Sequence, residues 1–327
     1  MNVTESLIYN VALLFVMMIP GVLMKKCKLC SDSFGKGISN LVLYIAQPAL
    51  TFLAYLRPYD ERIMINSLYV FGFSVILHSI FAVVAMLSFK KAPDGTQRML
   101  RFSTIFSNVA FMGIPLIAAV LEKDYPGSTV YALIYSVTFN VFLWSLGSVI
   151  CTKGRDKNKN GVDDSEEKSG LASSLKIAFT HPTTIASAIG LVFFILPIEG
   201  YVPELAEEAF GMLRNLVAPL SMLVIGLRLA DMSFKGLLGD KDMYVFIALR
   251  HVILPLVSVG VVKLVGLMVE LDPAVELVTV ILAAAPAATS ATMFAEKYDC
   301  DAVYVSRLVT VSTILSIVTI PLILILV

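Results

Sequence analysis

The amino-acid sequence predicts an all-α membrane protein with ten transmembrane helices, arranged as two inverted repeats of five helices. Three observations lead to this prediction. The 327-residue chain is 57% hydrophobic and 15% charged, whereas an average soluble domain is about 45–50% apolar and about 25% charged. Apolar segments of about 20 residues, the length that crosses a bilayer, recur along the whole chain. The two halves also share prolines and charged residues at a constant offset of 171 positions.

Ten apolar segments have the length of a spanning helix. They cover residues 6–24, 37–56, 66–89, 102–121, 128–151, 174–197, 208–230, 243–269, 274–295 and 303–327. Segments one to five form the first repeat, residues 1–152, and segments six to ten form the second, residues 174–327. Residues 153–173 form a polar linker. Because five is an odd number, the second repeat must enter the membrane from the opposite side.

The offset of 171 is visible in three pairs of positions. They are Pro48 with Pro219, Leu56–Asp60 with Leu227–Asp231, and Pro115 with Pro286. Each pair lies near the end or in the middle of an apolar segment. A duplication at this spacing is typical of carriers whose substrate binds where the two halves meet.

Basic residues predict the orientation. With the N-terminus outside, 19 of the 25 Lys and Arg residues fall in cytoplasmic loops, and only Arg57, Arg62 and Lys123 fall in external ones. Cytoplasmic loops of membrane proteins carry such an excess of positive charge. We therefore expect both termini outside and the linker in the cytoplasm. The short loops, without a long soluble domain, favour a bacterial inner membrane.

The fourth segment contains the sharpest motif, Asn108 followed by Gly113, Ile114 and Pro115. A proline removes a backbone donor from a helix, and a nearby glycine lets the backbone unwind or another chain approach. Irregular backbone at membrane depth is tolerated only where protein or a watery cavity satisfies it. The motif therefore predicts a broken helix at a substrate site. The alternative is a simple kink, with Asn108 bonded to a neighbouring helix.

The ninth segment repeats the theme with Pro286, Thr289 and Ser290. If the two broken helices cross, at Pro286 or a few residues later near Ala291, their N-terminal ends carry partial positive charge that favours an anion. Such a site would bind a carboxylate without a buried arginine. No Asp or Glu lies deep in a predicted span, so the obvious carboxylate for proton or sodium coupling is missing.

Several segments resemble the auxin efflux carrier family, which includes plant auxin exporters and bacterial permeases proposed to carry malate or malonate. The stretch from Asn108 to Leu116 is similar to the family's Asn-x-Gly-Phe-Met-Gly-x-Pro-Leu. Residues 294–298, 312–316 and 319–321 are similar as well. The resemblance covers essentially the whole chain. It implies a scaffold of helices one, two, six and seven and a mobile transport domain of helices three to five and eight to ten.

The resemblance also implies that helices four and nine cross, that transport is an elevator motion, and that a homodimer forms through the scaffold. By position, Asn108 matches the family's asparagine at the crossing, and Asn140 matches one in helix five that faces the substrate. Two positions depart from the family's pattern. Ala110 stands where glycine is usual, and Ser290 stands where many bacterial relatives have asparagine.

We therefore expect a secondary transporter that moves a small organic anion, a mono- or dicarboxylate, across the cytoplasmic membrane. A sensor or channel that keeps the fold without coupled transport is the alternative. An enzyme is not expected, because no HExxH, GxSxG or Walker pattern occurs. The expected partners are the anion and the lipid bilayer, without a cofactor, a metal or nucleic acid.

Other polar residues in the spans have simpler interpretations. Gln47 precedes Pro48 and is expected to mark a kink in a scaffold helix, the alternative being that it lines the substrate path. His78 is expected to be a hydrogen-bonded core histidine rather than a proton carrier. Arg214 and Arg250 are interpreted as snorkelling to the membrane surface or pairing between helices, and the alternative is that they and His251 draw anions into a vestibule.

Two metal patterns are weaker. Cys27 and Cys30 could begin a zinc site, but no second Cys pair accompanies them. Residues 156–167 fit the spacing of an EF-hand calcium loop. Asp163 at a normally apolar position and the lack of a partner hand favour a solvated linker instead.

Overall fold

A computed structural model of the chain describes residues 3–31, 33–152, 171–196, 198–230 and 240–327. Helices and short turns make up these residues, and no named strand occurs among them. This confirms the all-α prediction. The calcium-loop pattern at 156–167 and most of the predicted linker lie outside the described residues.

The helices are numbered here in chain order. They are α1 (Val3–Val16), α2 (Ile19–Lys26), α3 (Phe34–Tyr55), α4 (Glu61–Leu87), α5 (Asp94–Ile105), α6 (Val109–Val120), α7 (Ser128–Thr152), α8 (Leu171–Thr180), α9 (Pro182–Ile195), α10 (Glu204–Ala230), α11 (Lys241–Gly266), α12 (Pro273–Ala284), α13 (Ser290–Lys297) and α14 (Ala302–Leu324). A 3₁₀ turn at Glu199–Tyr201 follows α9.

Among the described residues, six helices are long and apolar enough to cross a membrane: α3, α4, α7, α10, α11 and α14. Three shorter apolar helices, α6, α9 and α12, accompany them. These lengths support a multi-pass membrane protein. The total of ten crossings and the inverted arrangement of the repeats stay predictions.

Four predicted segments are interrupted. Segment one divides into α1 and α2, segment four into α5 and α6, segment six into α8 and α9, and segment nine into α12 and α13. The break in segment six has a local cause. Pro182 disfavours the helical conformation in the residue before it, and His181 is accordingly extended, with ψ of 133°.

The constant offset of 171 does not hold for the second part of each repeat. Asp60 accepts the amide of Arg62 at the start of α4, and Asp240 accepts the amide of Met243 at the start of α11. These two capping aspartates are 180 positions apart. This spacing differs from the offset of 171 that pairs Asp60 with Asp231, a residue outside the described ranges.

Helices α2 and α10 pack with their backbones in contact. A Cβ atom at Gly226 would lie 2.0 Å from the carbonyl oxygen of Met18, and one at Gly21 would lie 2.3 Å from that of Leu223. Small residues allow this close approach between apolar helices, where packing and not the hydrophobic effect holds the pair together. The two glycines therefore fix α2 against α10.

Aromatic contacts join α3 to the same group. The ring of Phe52 in α3 lies 5.3 Å from Phe193 in α9 and 5.6 Å from Phe210 in α10, both edge-on. Edge-to-face geometry is the favoured arrangement of such pairs. Segments one, two, six and seven thus pack on one another; these are the segments that the family resemblance assigns to the scaffold.

A second group of aromatic side chains joins the remaining helices. His78 of α4 stacks on Phe142 of α7 at 5.2 Å, and Phe294 of α13 packs on Phe102 of α5 at 4.8 Å and on Trp144 of α7 at 5.2 Å. The imidazole Nδ1 of His78 is 2.7 Å from the carbonyl oxygen of Ser74. The interpretation of His78 as a bonded core histidine is confirmed.

The backbone contact of α2 with α10 generates a stability prediction. Gly226→Ala should lower the free energy of unfolding by about 1–3 kcal/mol, because an added methyl group in a packed interface forces the two backbones apart. Thermal melting of the detergent-purified protein measures the effect. Gly260→Ala in α11 is the matched control, since its added Cβ meets nothing within 4 Å. Equal melting temperatures for the two variants would contradict the close packing.

Candidate functional site at the crossing of two broken helices

The breaks in segments four and nine meet. Ser107 and Ala287 form an isolated antiparallel bridge. The amide of Asn108 donates to the carbonyl of Pro286 at 2.7 Å, and the amide of Ala288 donates to the carbonyl of Phe106 at 2.9 Å. The crossing therefore lies at residues 106–108 and 286–288, next to Pro286 and not near Ala291.

The two breaks have different local causes. Pro286 lies within its break and, as expected for a residue before proline, Ala285 is extended with ψ of 149°. In segment four, Phe106 is extended with ψ of 119°, but Pro115 lies well beyond the break, inside α6. The two prolines, which the constant offset paired, are therefore not equivalent in the structure.

Pro115 has its effect on the first turn of α6 instead. Residues Val109–Gly113 form a π-helical turn, in which the amide of Ile114 donates to the carbonyl of Val109. In the same pattern the amide of residue 115 would donate to the carbonyl of Ala110. That residue is Pro115, which has no N–H. The side-chain amide of Gln47 in α3 donates to the Ala110 carbonyl in its place. Gln47 is 2% exposed and so binds the broken helix rather than only marking a kink.

Arg250 satisfies the carbonyl groups at the C-terminal ends of α5 and α12. This side chain is 0% exposed. Its Nη1 donates to Thr104 at 3.2 Å, its Nη2 to Ala283 at 2.9 Å and to Ala285, and its Nε to Ala285 at 3.1 Å. The expectation of snorkelling is wrong for Arg250, whereas pairing between helices is confirmed. The crossing thus contains a buried arginine, at the C-terminal ends of α5 and α12.

A second series of hydrogen bonds satisfies a backbone amide at the break in segment nine. The amide of Ala287 donates to the hydroxyl of Ser312 in α14 at 2.8 Å. That hydroxyl is 2.9 Å from Nε2 of His251, whose Nδ1 is 3.1 Å from the hydroxyl of Thr319. An orphaned buried amide is costly. Ser312 removes this cost, and His251 holds Ser312 in place.

The N-terminal ends of α6 and α13 meet on the other side of the crossing. Asn108 precedes α6 and Thr289 precedes α13, and the hydroxyl of Thr289 is 3.5 Å from Oδ1 of Asn108. Asn108 is 2% exposed, and its Nδ2 has no hydrogen-bond partner among the described residues. The amide groups of Ala110 and Phe111, in the first turn of α6, likewise have no acceptor in that part of the chain.

Arg228 of α10 reaches the same place. Its Nη1 donates to the carbonyl of Thr289 at 3.3 Å, and its guanidinium carbon is 6.0 Å from the centre of the Phe111 ring. Arg228 lies in the last turn of α10, which ends at Ala230. A positive side chain thus lies beside the two positive helix ends.

The remaining predicted site residues lie around this point. Ile114 and Pro115 are buried in α6, and Ser290 is the half-buried first residue of α13. Gly113 is packed so closely that an added Cβ would lie 2.5 Å from Cδ2 of Leu282 in α12. Asn140 of α7 is half-buried and forms no direct bond to Asn108 or Thr289. The ring of its neighbour Phe139 lies 5.8 Å from that of Phe106, so Asn140 lies at the level of the crossing.

The described residues offer little for a metal ion. No group of three or more His, Cys, Asp or Glu side chains lies together in that part of the chain. Cys27 is exposed and Cys30 is half-buried. The crossing itself contains amide, hydroxyl and guanidinium groups, which suit an anion rather than a cation.

Gln47, Arg228, Arg250 and Ser312 were not among the predicted site residues. One signal was available for Arg250. It follows Lys241 by nine residues, about 13 Å along a helix at about 1.5 Å per residue, which is near the middle of a hydrocarbon core of about 30 Å. A charge at that depth faces the protein interior and marks a function.

Spanning helices and a pair of broken helices that cross define a membrane transport protein. A family model described as "Membrane transport protein" matches residues 6–324 of the chain. The chain belongs to this family, which is the auxin efflux carrier family that its motifs resemble. It is accordingly a transporter of the membrane and not an enzyme.

Two archaeal relatives carry transporter names. An uncharacterized transporter of Methanothermobacter thermautotrophicus is 24% identical over 312 residues, which are 94% of each chain. An uncharacterized transporter of Methanocaldococcus jannaschii is 21% identical over 233 residues, which are 69% of this chain and 70% of the relative. Neither name states a substrate.

The contact of Gln47 with α6 can be tested by its removal. Gln47→Met keeps the size of the side chain but leaves the Ala110 carbonyl without a donor, so the free energy of unfolding should fall by about 1–3 kcal/mol. Thermal melting measures this change. The control is Gln97→Met, which removes a similar amide-to-carbonyl bond, to Phe89, away from the crossing and in a half-buried position. A smaller loss in Gln47→Met than in Gln97→Met would contradict the role assigned to Gln47.

Proposed function

We propose that the chain is a secondary transporter that moves a small organic anion, a mono- or dicarboxylate, through the crossing of its two broken helices. The single observation that carries the proposal is the unpaired side-chain amide of Asn108. Its side-chain Nδ2 is buried at the crossing and has no partner among the described residues. A buried unsatisfied donor costs about 1–3 kcal/mol, and an acceptor oxygen of a bound substrate would recover this cost.

The charge of the surroundings favours an anion. Helices α6 and α13 begin beside Asn108 and Thr289, and each N-terminal end carries roughly half a positive charge. Unpaired amides at such an end are a ready site for a carboxylate. Arg228 adds a guanidinium group within reach of Thr289, and guanidinium binds carboxylates through two parallel hydrogen bonds. We assign Asn108, Thr289, Ser290 and the first turn of α6 to the site, with Asn140 and Arg228 at its edge.

The mechanism that we propose is alternating access by an elevator motion. Two groups of helices, each joined by its own contacts, support it. One group contains α2, α3, α9 and α10, joined by the contacts of Gly21, Gly226 and Phe52. The other contains the crossing. Under this proposal both termini lie outside the inner membrane, and the first group holds the homodimer together.

A panel of carboxylates tests the proposal. The panel contains malate, malonate, pyruvate, lactate and indole-3-acetate. A compound that binds only the folded protein raises its free energy of unfolding, by about 2.7 kcal/mol at one hundred times the dissociation constant. The melting temperature therefore rises with the concentration of that compound. We expect at least one member of the panel to raise it. We also expect saturable counterflow of that compound in proteoliposomes, which a channel or a sensor would not show.

The site assignment is tested with the compound that binds. Asn108→Ala should remove the stabilisation and the counterflow, because the free Nδ2 is its direct contact. Asn40→Ala is the matched control, since Asn40 is an exposed residue of α3. Normal counterflow by a folded Asn108→Ala variant would contradict the site. A full panel without any shift in melting temperature would contradict the anion class.

A further inference from the structure

From the contacts of Arg250 we infer that this side chain is a tethered cation, held where a freely exchanging coupling cation would otherwise bind, and that the transporter therefore requires no sodium ion at its crossing. The inference concerns the side of the crossing opposite to the proposed anion site. Its structural part depends only on the crossing. Its consequence for transport depends on the function proposed above.

The breaks leave three carbonyl groups at helix ends without their usual donors. In continuous helices Thr104, Ala283 and Ala285 would accept from the amides four residues later. At the crossing the amide of Asn108 donates to Pro286 instead, and the amide of Ala287 donates to Ser312. The C-terminal ends of α5 and α12 thus place unsatisfied oxygens together at membrane depth.

A group of carbonyl oxygens at helix C-termini attracts a cation. Each helix C-terminus carries roughly half a negative charge, so two ends together amount to about one. In transporters with broken helices, unwound carbonyls and half-helix C-terminal ends commonly coordinate Na⁺. Here the guanidinium of Arg250 donates to all three carbonyls and is fully buried. No carboxylate among the described residues forms an ion pair with it.

Arg250 and a sodium ion would differ in how long they neutralise the helix ends. A fixed guanidinium neutralises the two C-terminal ends permanently, whereas a sodium ion does so only while it is bound. The oxygens that a sodium ion would need are already occupied by N–H donors. The remaining side of the crossing keeps its two positive N-terminal ends in every state of the cycle, so binding of an anion there needs no prior binding of a cation.

The experiment compares cations on the purified full-length protein. Its melting temperature is measured in equal millimolar concentrations of sodium chloride, choline chloride and guanidinium chloride, with and without malonate as the anion probe. For the unaltered protein we expect no difference between sodium and choline, and any malonate-dependent shift should be equal in both salts. A saturable rise in melting temperature with sodium, absent with choline, would overturn the inference.

Arg250→Ala tests the position directly. The variant should melt at a lower temperature, and millimolar guanidinium should restore part of the loss because it fills the vacated position. A loss that is merely structural would not respond to guanidinium. Arg101→Ala is the matched control. Arg101 also donates to helix-end carbonyls, those of Met86 and Ser88, but outside the crossing, and its variant should show no recovery with guanidinium.

Arg250→Lys covers the case in which Arg250→Ala does not fold. Lysine keeps the charge and three donors but not the planar fork. We expect an intermediate melting temperature without sodium dependence, and a sodium-dependent Arg250→Lys or an unimpaired Arg250→Ala would count against the inference. Failure of malonate and the other carboxylates to bind in any salt would refute the proposed function. The melting temperatures measured in the different salts without malonate would still test the inference about Arg250.

Discussion

Every buried backbone group at the crossing needs a hydrogen-bond partner, and this requirement determines what surrounds the two broken helices. Water is scarce at that depth, and each unsatisfied group costs several kcal/mol there. The crossing therefore depends on an antiparallel bridge and on three side chains from other helices. Gln47, Arg250 and Ser312 each serve a group that a break or a proline has freed. These three buried side chains are placed where the backbone is irregular.

The partial charges of the helix ends lie on opposite sides of the crossing. Both C-terminal ends point to Arg250, as its bonds to Thr104 and Ala283 show. Both N-terminal ends point to Asn108 and Thr289, whose side chains approach to 3.5 Å. One side is thus neutralised within the protein, and the other keeps free donors. An arrangement with this asymmetry offers a place for one anion, which is the physical basis of the function proposed here.

The sequence predicted apolar helices and the breaks in segments four and nine, but not the interruptions of segments one and six. Apolar length is a local signal, whereas proline marked the break directly only in segment nine, at Pro286. The sequence did not predict how the breaks align. Pro115 and Pro286 share an offset of 171, but the bridge pairs Ser107 with Ala287, 180 positions apart. It also did not predict that Gln47 and Arg228 reach the crossing, because such contacts depend on how distant helices pack. Arg250 was also not predicted at the crossing, although its position in the sequence offered a signal. Its depth within an apolar segment excluded snorkelling, and an unsatisfied helix end was the natural partner for a buried charge.

The contacts of the crossing also differ in what an elevator motion would do to them. Arg250 and Ser312 lie on α11 and α14, in the group of helices that would move with the crossing, so their bonds would persist. Gln47 and Arg228 lie on α3 and α10, in the group joined by Gly21 and Gly226, so a displacement would break their bonds to Ala110 and Thr289. An elevator motion would thus keep the bonds within the crossing and break two contacts to the other group of helices. Breaking the Arg228 contact would leave the carbonyl of Thr289 and the guanidinium to find new partners. A bound anion would replace the Thr289 carbonyl as the acceptor for the guanidinium of Arg228. Binding of the anion and displacement of the crossing would then be coupled through Arg228.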